Sequence, residues 1–179
     1  MNMKKRMLSI VLSGAMAVST AVSAGSFSAF AVAQCVAYSG SNVNDQDYVQ
    51  WSDTVKSYLT VCDNGNYMRV QSGAIKGKLL VEYYSSDFEP LSTKLIDNEL
   101  PVFGAFYDSG NNYYVLSGQE NPKQNDSLEV FRITKYDKNW NKIKSCGLYG
   151  ANTTVPFDAG SARMTHSGDH LLVRTCHGV

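Results

Sequence analysis

Three histidines crowd one end of the sequence, His166, His170 and His177, with Arg163, Asp169, Arg174 and Cys176 among them. A neutral imidazole can ligate a metal or carry a proton, and a nearby guanidinium can hold an anion. His166 and His170 stand four apart, which on a helix would place them on one face. The residues between them, Ser167-Gly168-Asp169, form a turn signal, so the segment reads as a hairpin and the helical argument fails. On a hairpin the two imidazoles can still approach across the strands. The candidates for catalysis are therefore His166, His170, His177 and Arg163, weighed against plain turn-flanking polar residues. No metal site is expected.

Other chemistry-bearing patterns are absent from the sequence. It has no Gly-x-Ser-x-Gly elbow, no phosphate-cradling loop ending in Lys-Ser/Thr and no H-E-x-x-H. The acidic residues are scattered, and no pair is assignable as acid and base. No cofactor is expected. Tyr83, Tyr84, Tyr107, Tyr113, Tyr114, Tyr136 and Trp140 could stack on sugars, but their regular recurrence assigns most of them to packing.

The elements that must position these residues are legible as repeats. Three segments align on Gly65, Gly110 and Gly168: VCDNGNYMRV from Val61, FYDSGNNYYV from Phe106 and MTHSGDHLLV from Met164. Each glycine follows Asn or Ser and precedes Asn or Asp, the chemistry of a tight hairpin turn with positive φ. Each also has a valine five residues on. In this alignment His166 shares a column with Asp63 and Asp108, and His170 with Tyr67 and Asn112. A second element recurs at a constant offset of 52, pairing Leu79 with Phe131, Val81 with Ile133, Tyr84 with Tyr136, Phe88 with Trp140 and Leu91 with Ile143. It reads as a strand ending in Tyr, a polar turn, an aromatic residue and another strand.

Together these make a unit of four antiparallel strands. The expected copies cover about 55–97 and about 102–148, with a third at 159–179 that ends after two strands. Glycine spacings of 45 and 58 suit the period of four-stranded propeller blades. Longer loops are expected at Gln119–Asp126 and around Gly150–Asp158. The fold class is all-β, an incomplete β-propeller of two blades and half of a third, with a β-sandwich or barrel as the alternative.

Tyr136-Asp137-Lys138-Asn139-Trp140-Asn141-Lys142-Ile143 resembles the Y-D-x-x-W/F-x-x-I/L turn of secreted bacterial β-propeller repeat proteins. The resemblance spans roughly 55–179. The first copy departs from it, with Ser85 in the Asp position. It implies blades and no particular chemistry, because propellers host binders and enzymes alike.

The first 33 residues carry Lys4, Lys5 and Arg6, an uncharged stretch from Met7 to Ala33 and a small-x-small ending, Ala31-Val32-Ala33. This is a secretory signal pattern, with cleavage expected after Ala33, or after Ala24 as a fallback. Gln34 before Cys35 does not fit a lipoprotein site. The exported chain then carries thirteen Lys plus Arg against sixteen Asp plus Glu, with no basic run, which argues against nucleic acid as a partner. No stretch after residue 33 is apolar for long enough to span a bilayer. Residues 34–54, with Tyr48, Val49 and Trp51, are a candidate ring-closing strand. Cys35, Cys62, Cys146 and Cys176 allow three disulfide connectivities, or none if they are buried thiols.

Two functions fit these readings. One is an exported binding or scaffold module whose ligand is a glycan or a protein. The other is the front part of a secreted propeller enzyme, lyase- or transferase-like, with a histidine-containing central site.

Overall fold

A computed structural model describes residues 54–160 and 162–178. The signal segment, Cys35 and all of 34–54 except Thr54 lie outside the described residues.

The described chain is all-β. The first sheet is a meander of β1 (Ser57–Val61), β2 (Tyr67–Ile75), β3 (Lys78–Tyr84) and β4 (Pro90–Asp97), paired in that order. The second repeats it with β5 (Val102–Asp108), β6 (Tyr113–Gly118), β7 (Glu129–Tyr136) and β8 (Lys142–Tyr149). A hairpin follows, β10 (Ala162–Ser167) with β11 (His170–Thr175). Two short strands, β9 (Val155–Pro156) and β12 (His177–Gly178), pair around it. The helical content of the described residues is a single 3-10 turn, Asp158–Gly160. Neither four-stranded sheet closes on itself. No helix among the described residues is long and apolar enough to cross a membrane.

The three units pack in series, each face decided by strand alternation. Met68, Val70, Leu79, Val81 and Ile96 on one face of the first sheet share a core with Phe103, Phe106, Tyr113, Val115, Tyr136 and Trp140 of the second. The opposite face of the second sheet supplies Ala105, Leu116 and Phe131, covered by Phe157 and by Ala162, Met164 and Val173 of the hairpin unit. The fourth strands are the exposed ones: every residue of β8, and all of β4 but Ile96, lies open to solvent.

The tyrosine-to-aromatic turns superimpose in hydrogen bonding. Ser85 N–H and Asp137 N–H donate to the carbonyls of Glu89 and Asn141, and Phe88 N–H and Trp140 N–H donate back to Ser85 and Asp137. Both aromatic residues take positive φ, 63° at Phe88 and 65° at Trp140. That place in a three-residue hairpin loop usually belongs to glycine, and a bulky side chain there is strained. Ser85, the departure from the aspartate pattern, performs the aspartate's task. Its Oγ accepts from the N–H groups of Asp87 and Glu89 at 3.2 and 3.1 Å, as Asp137 Oδ1 accepts from Asn139 and Asn141 at 2.8 Å each.

The glycine hairpins are less alike than their alignment. Gly65 (φ 81°) ends the three-residue loop closed by Cys62 and Asn66. Gly110 (φ 87°) and Gly168 (φ 54°) open two-residue loops closed by Ser109 with Asn112 and Ser167 with His170. In those two loops only the first residue has positive φ, the pattern of a type II′ turn. The extra residue in the first loop slips the alignment by one beyond it. Tyr67, not Met68, therefore matches Tyr113: each pairs with the tyrosine that ends the next strand, Tyr84 or Tyr136. A one-residue slip reverses the face. Val70 and Val115, matched in the sequence, come from opposite faces of their sheets and share one core.

The segment expected as a loop around Gly150–Asp158 contains β9 and a core residue. Phe157, with φ 61°, is buried against the second sheet. It lies over Gly104 and Gly118, where an added Cβ would come within 2.4 and 2.8 Å of its ring. Strand glycines of this kind mark a close approach. Among the described residues Cys62 and Cys146 are free thiols, and the expectation of buried cysteines fails at Cys146 and Cys176, which are exposed.

Candidate functional site

The β10–β11 register separates the histidine cluster. His166 pairs with Leu171, and Ser167 with His170, so His166 and His170 project from opposite faces of the hairpin. The face bearing His166 also bears Ala162, Met164 and Val173 and packs on the second sheet. The other carries Arg163, Thr165, His170, Leu172 and Arg174, with Arg163 directly across from Arg174. His177 sits on β12 opposite Pro156, beyond the far end of the hairpin from its turn. The three imidazoles thus do not converge, and no group of three or more metal-ligating side chains occurs among the described residues. The column placing His166 with Asp63 is corrected as well. By strand pairing His166 matches Asp108 and Val61, and His170 matches Asn112 and Asn66.

His166 and His170 nonetheless border one cleft of about 260 Å³ between two hairpin tips. One wall is the Ser109–Asn112 turn, and the other is the Gly168–Asp169 turn with Leu171. The floor is Tyr114 with Lys135, whose ammonium lies 5.7 Å from the Tyr114 ring centre, within reach of a cation–π attraction. Tyr107 Oη and His166 Nδ1 are hydrogen-bonded, which fastens the hairpin to β5. The Tyr107 ring lies 6.4 Å from Tyr114 and 6.0 Å from His166, so three flat side chains follow one another along this edge. Amides, an ammonium, a carboxylate and aromatic faces can orient a polar ligand.

The turns that frame the cleft are stiffened from within. Lys138 Nζ holds both oxygens of Asp108, at 2.7 and 2.9 Å, and sits 4.3 Å over the Tyr113 ring. Burial, reinforced by the charges of Tyr83 and Asp108, keeps the Tyr113 hydroxyl well above its ordinary range. Burial likewise pushes Tyr136 up to about 12.

The aromatic residues divide between roles. Trp140 is buried on Phe106, Tyr113 and Tyr136 and donates its indole N–H to Tyr83 Oη at 3.0 Å, joining the two sheets. Tyr84 is half-buried. Phe88, matched with Trp140 by the offset of 52, is instead exposed and stacks on Tyr67 at 4.6 Å. The residues that sequence reasoning missed are Lys135 and the Ser109–Asn112 turn. The offset of 52 marked Lys135, placing it where the first sheet has Tyr83, and the turn was read only as a hairpin.

No family model, curated protein or solved structure matches this chain.

Proposed function

We propose that the chain is an exported, propeller-type binding or scaffold module that holds its ligand in the cleft between the Ser109–Asn112 and Gly168–Asp169 turns. The observation that carries the reading is the serial face-to-face packing of the units, which brings successive hairpin tips side by side. Loops held on a rigid frame are the usual place for recognition. The first strands also converge, as the inner strands of a propeller do. Tyr58 of β1 packs on Phe103 and Phe106 of β5, and Tyr107 of β5 on His166 of β10. Burial raises the Tyr58 hydroxyl pKa, and the positive charge of Arg163 on β10 partly opposes it. Exposed fourth strands fit the outer rim. The divergence of the three histidines supports binding over catalysis.

The test is an NMR titration of the full chain with neutral oligosaccharides, acidic oligosaccharides and extended peptides. Shifts centred on Asn111, Asn112, Lys135 and His170, with the ligand recovered unchanged by mass spectrometry, support the reading. Chemical turnover of a ligand, or shifts confined to other surfaces for every ligand class, would overturn it.

A further inference from the structure

Asn64-Gly65 is the only Asn-Gly pair in the sequence. It lies at the tip of the first hairpin, inside the three-residue loop closed by Cys62 and Asn66, and both residues are exposed. The two matching glycine turns have serine before the glycine, Ser109 and Ser167, so neither places a side-chain amide there. Every other asparagine in the sequence precedes a residue that carries a Cβ atom.

That pair is chemically distinct. The side-chain carbonyl carbon of Asn64 is an electrophile, and the backbone nitrogen of the next residue can close on it to form a five-membered succinimide ring. Glycine favours the closure, because it has no Cβ to obstruct the approach and its backbone is free to adjust. A Cβ added at Gly65 would meet no atom within 4 Å, so the space beside the attacking nitrogen is open. The electrophile is also activated. Asn66 N–H donates to Asn64 Oδ1 at 3.1 Å. Attack at Cγ moves electron density onto that oxygen, and a donor already aimed at it stabilises the charge as it develops. One bond opposes the reaction, Gly65 N–H donating to the carbonyl of Cys62 at 2.9 Å. It belongs to an exposed hairpin tip, where local opening costs little.

We infer that Asn64 is a self-modifying site, which converts through a succinimide to a mixture of aspartate and isoaspartate. The Gly65 nitrogen gives its proton to hydroxide and bonds to Asn64 Cγ. The Cγ–Nδ2 bond then breaks, and Nδ2 takes a proton from solvent and leaves as ammonia. Water opens the ring at either carbonyl. Breaking the new bond to Cγ leaves aspartate in an ordinary main chain. Breaking the original peptide bond instead routes the main chain through Cγ, which is isoaspartate. No oxidant or reductant is needed. The inference does not depend on the binding-module reading.

Both products alter the loop. Each adds a carboxylate beside Asp63. Burial raises the Cys62 thiol pKa, Lys138 opposes it, and the charges of Asp108 and Asp63 add to the rise, so a further negative charge acts in the same direction. Isoaspartate also adds one main-chain carbon to the loop that Cys62 N–H closes on the Asn66 carbonyl at 2.7 Å, which loosens the adjoining Val61–Tyr67 pair.

The test incubates the full chain at mildly alkaline pH, with and without urea, and maps its peptides by mass spectrometry. In the folded chain the peptide containing Asn64 should gain the mass difference between an amide and an acid. It should split into two products of equal mass, at least tenfold faster than any other asparagine converts, and the rate should rise with pH. Gly65→Asn tolerates the positive φ and adds a Cβ, and it should slow conversion at position 64 at least fivefold. Asn64→Gln would require a six-membered ring and should slow it likewise while leaving the glycine in place. Conversion at Asn64 no faster than elsewhere, conversion in urea alone, or indifference to both substitutions would overturn the inference.

Discussion

Phe88 and Trp140 stand at the same place in two successive turns with nearly the same φ, 63° and 65°, yet Phe88 is 63% exposed and Trp140 5%. The backbone strain is common to both, and the compensating burial belongs to Trp140. Trp140→Ala should cost about 3–5 kcal/mol, the range for deleting a large core side chain. Phe88→Gly should change stability by less than about 1 kcal/mol, because relief of the positive φ offsets the lost stack on Tyr67. Urea unfolding of both variants measures the contrast, and equal losses would contradict it.

Phe157 leaves no room for side chains beneath it. Gly104→Ala and Gly118→Ala should each destabilise by roughly 1–3 kcal/mol through overpacking. Combining either with Phe157→Ala should recover part of the loss, since the clash and the cavity then occupy one space. A thermal-melt double-mutant cycle gives the coupling, and strict additivity would exclude the contact.

Glu99 follows β4 and fastens the first sheet to the second by accepting from Arg132 Nη1 at 3.0 Å and Lys142 Nζ at 2.7 Å. Partial burial raises its pKa, but the hydrogen bonds and positive charges of Lys142 and Arg132 prevail and hold it below the ordinary 4.5. The carboxylate is therefore favoured in the folded state. Its contribution is complete above the ordinary value and is lost as pH falls through the lower, folded-state one. Glu99→Gln should be less stable at neutral pH and should flatten the acid limb of a stability-against-pH curve. An unchanged acid limb would show that another group governs it.

Ser85 and Asp137 cap equivalent turns. The amide of Asn141 and the backbone N–H groups around the turn hold the Asp137 carboxyl below its usual range. Asp137→Ala should lower the melting temperature, and Ser85→Asp should be tolerated or raise it, since the same two N–H groups then meet a charged acceptor. A fall in melting temperature for Ser85→Asp would mean that the two turns are not equivalent in solution.

The strand order was legible because its signals are local. Alternation, turn glycines and the constant offset each act over a few residues, and the offset of 52 holds through the register of Tyr84 with Pro90 and Tyr136 with Lys142. The glycine alignment misled at Tyr67 because loop length is invisible in an ungapped match, and one extra residue transfers every following side chain to the other face. The histidine cluster dissolved for the same reason: closeness in sequence says nothing of which face of a hairpin a residue takes. The cleft was hidden because its walls come from residues far apart in the chain. Phe157 left a trace that reading by strand patterns passed over, the two glycines inside β5 and β6.

Among the described residues, all but one of the strand pairs join neighbours along the chain, the exception being β9 with β12, which encloses the whole β10–β11 hairpin. The consequence is kinetic. Each meander can form from short-range closures, which favours rapid folding. The β9–β12 clasp must wait for the hairpin and Phe157 to seat, because it spans both. Two residue pairs hold it, His177 with Pro156 and Gly178 with Val155. It should be the last contact made and the first to open, so the hairpin unit can come loose as a single cooperative piece while both sheets stay folded.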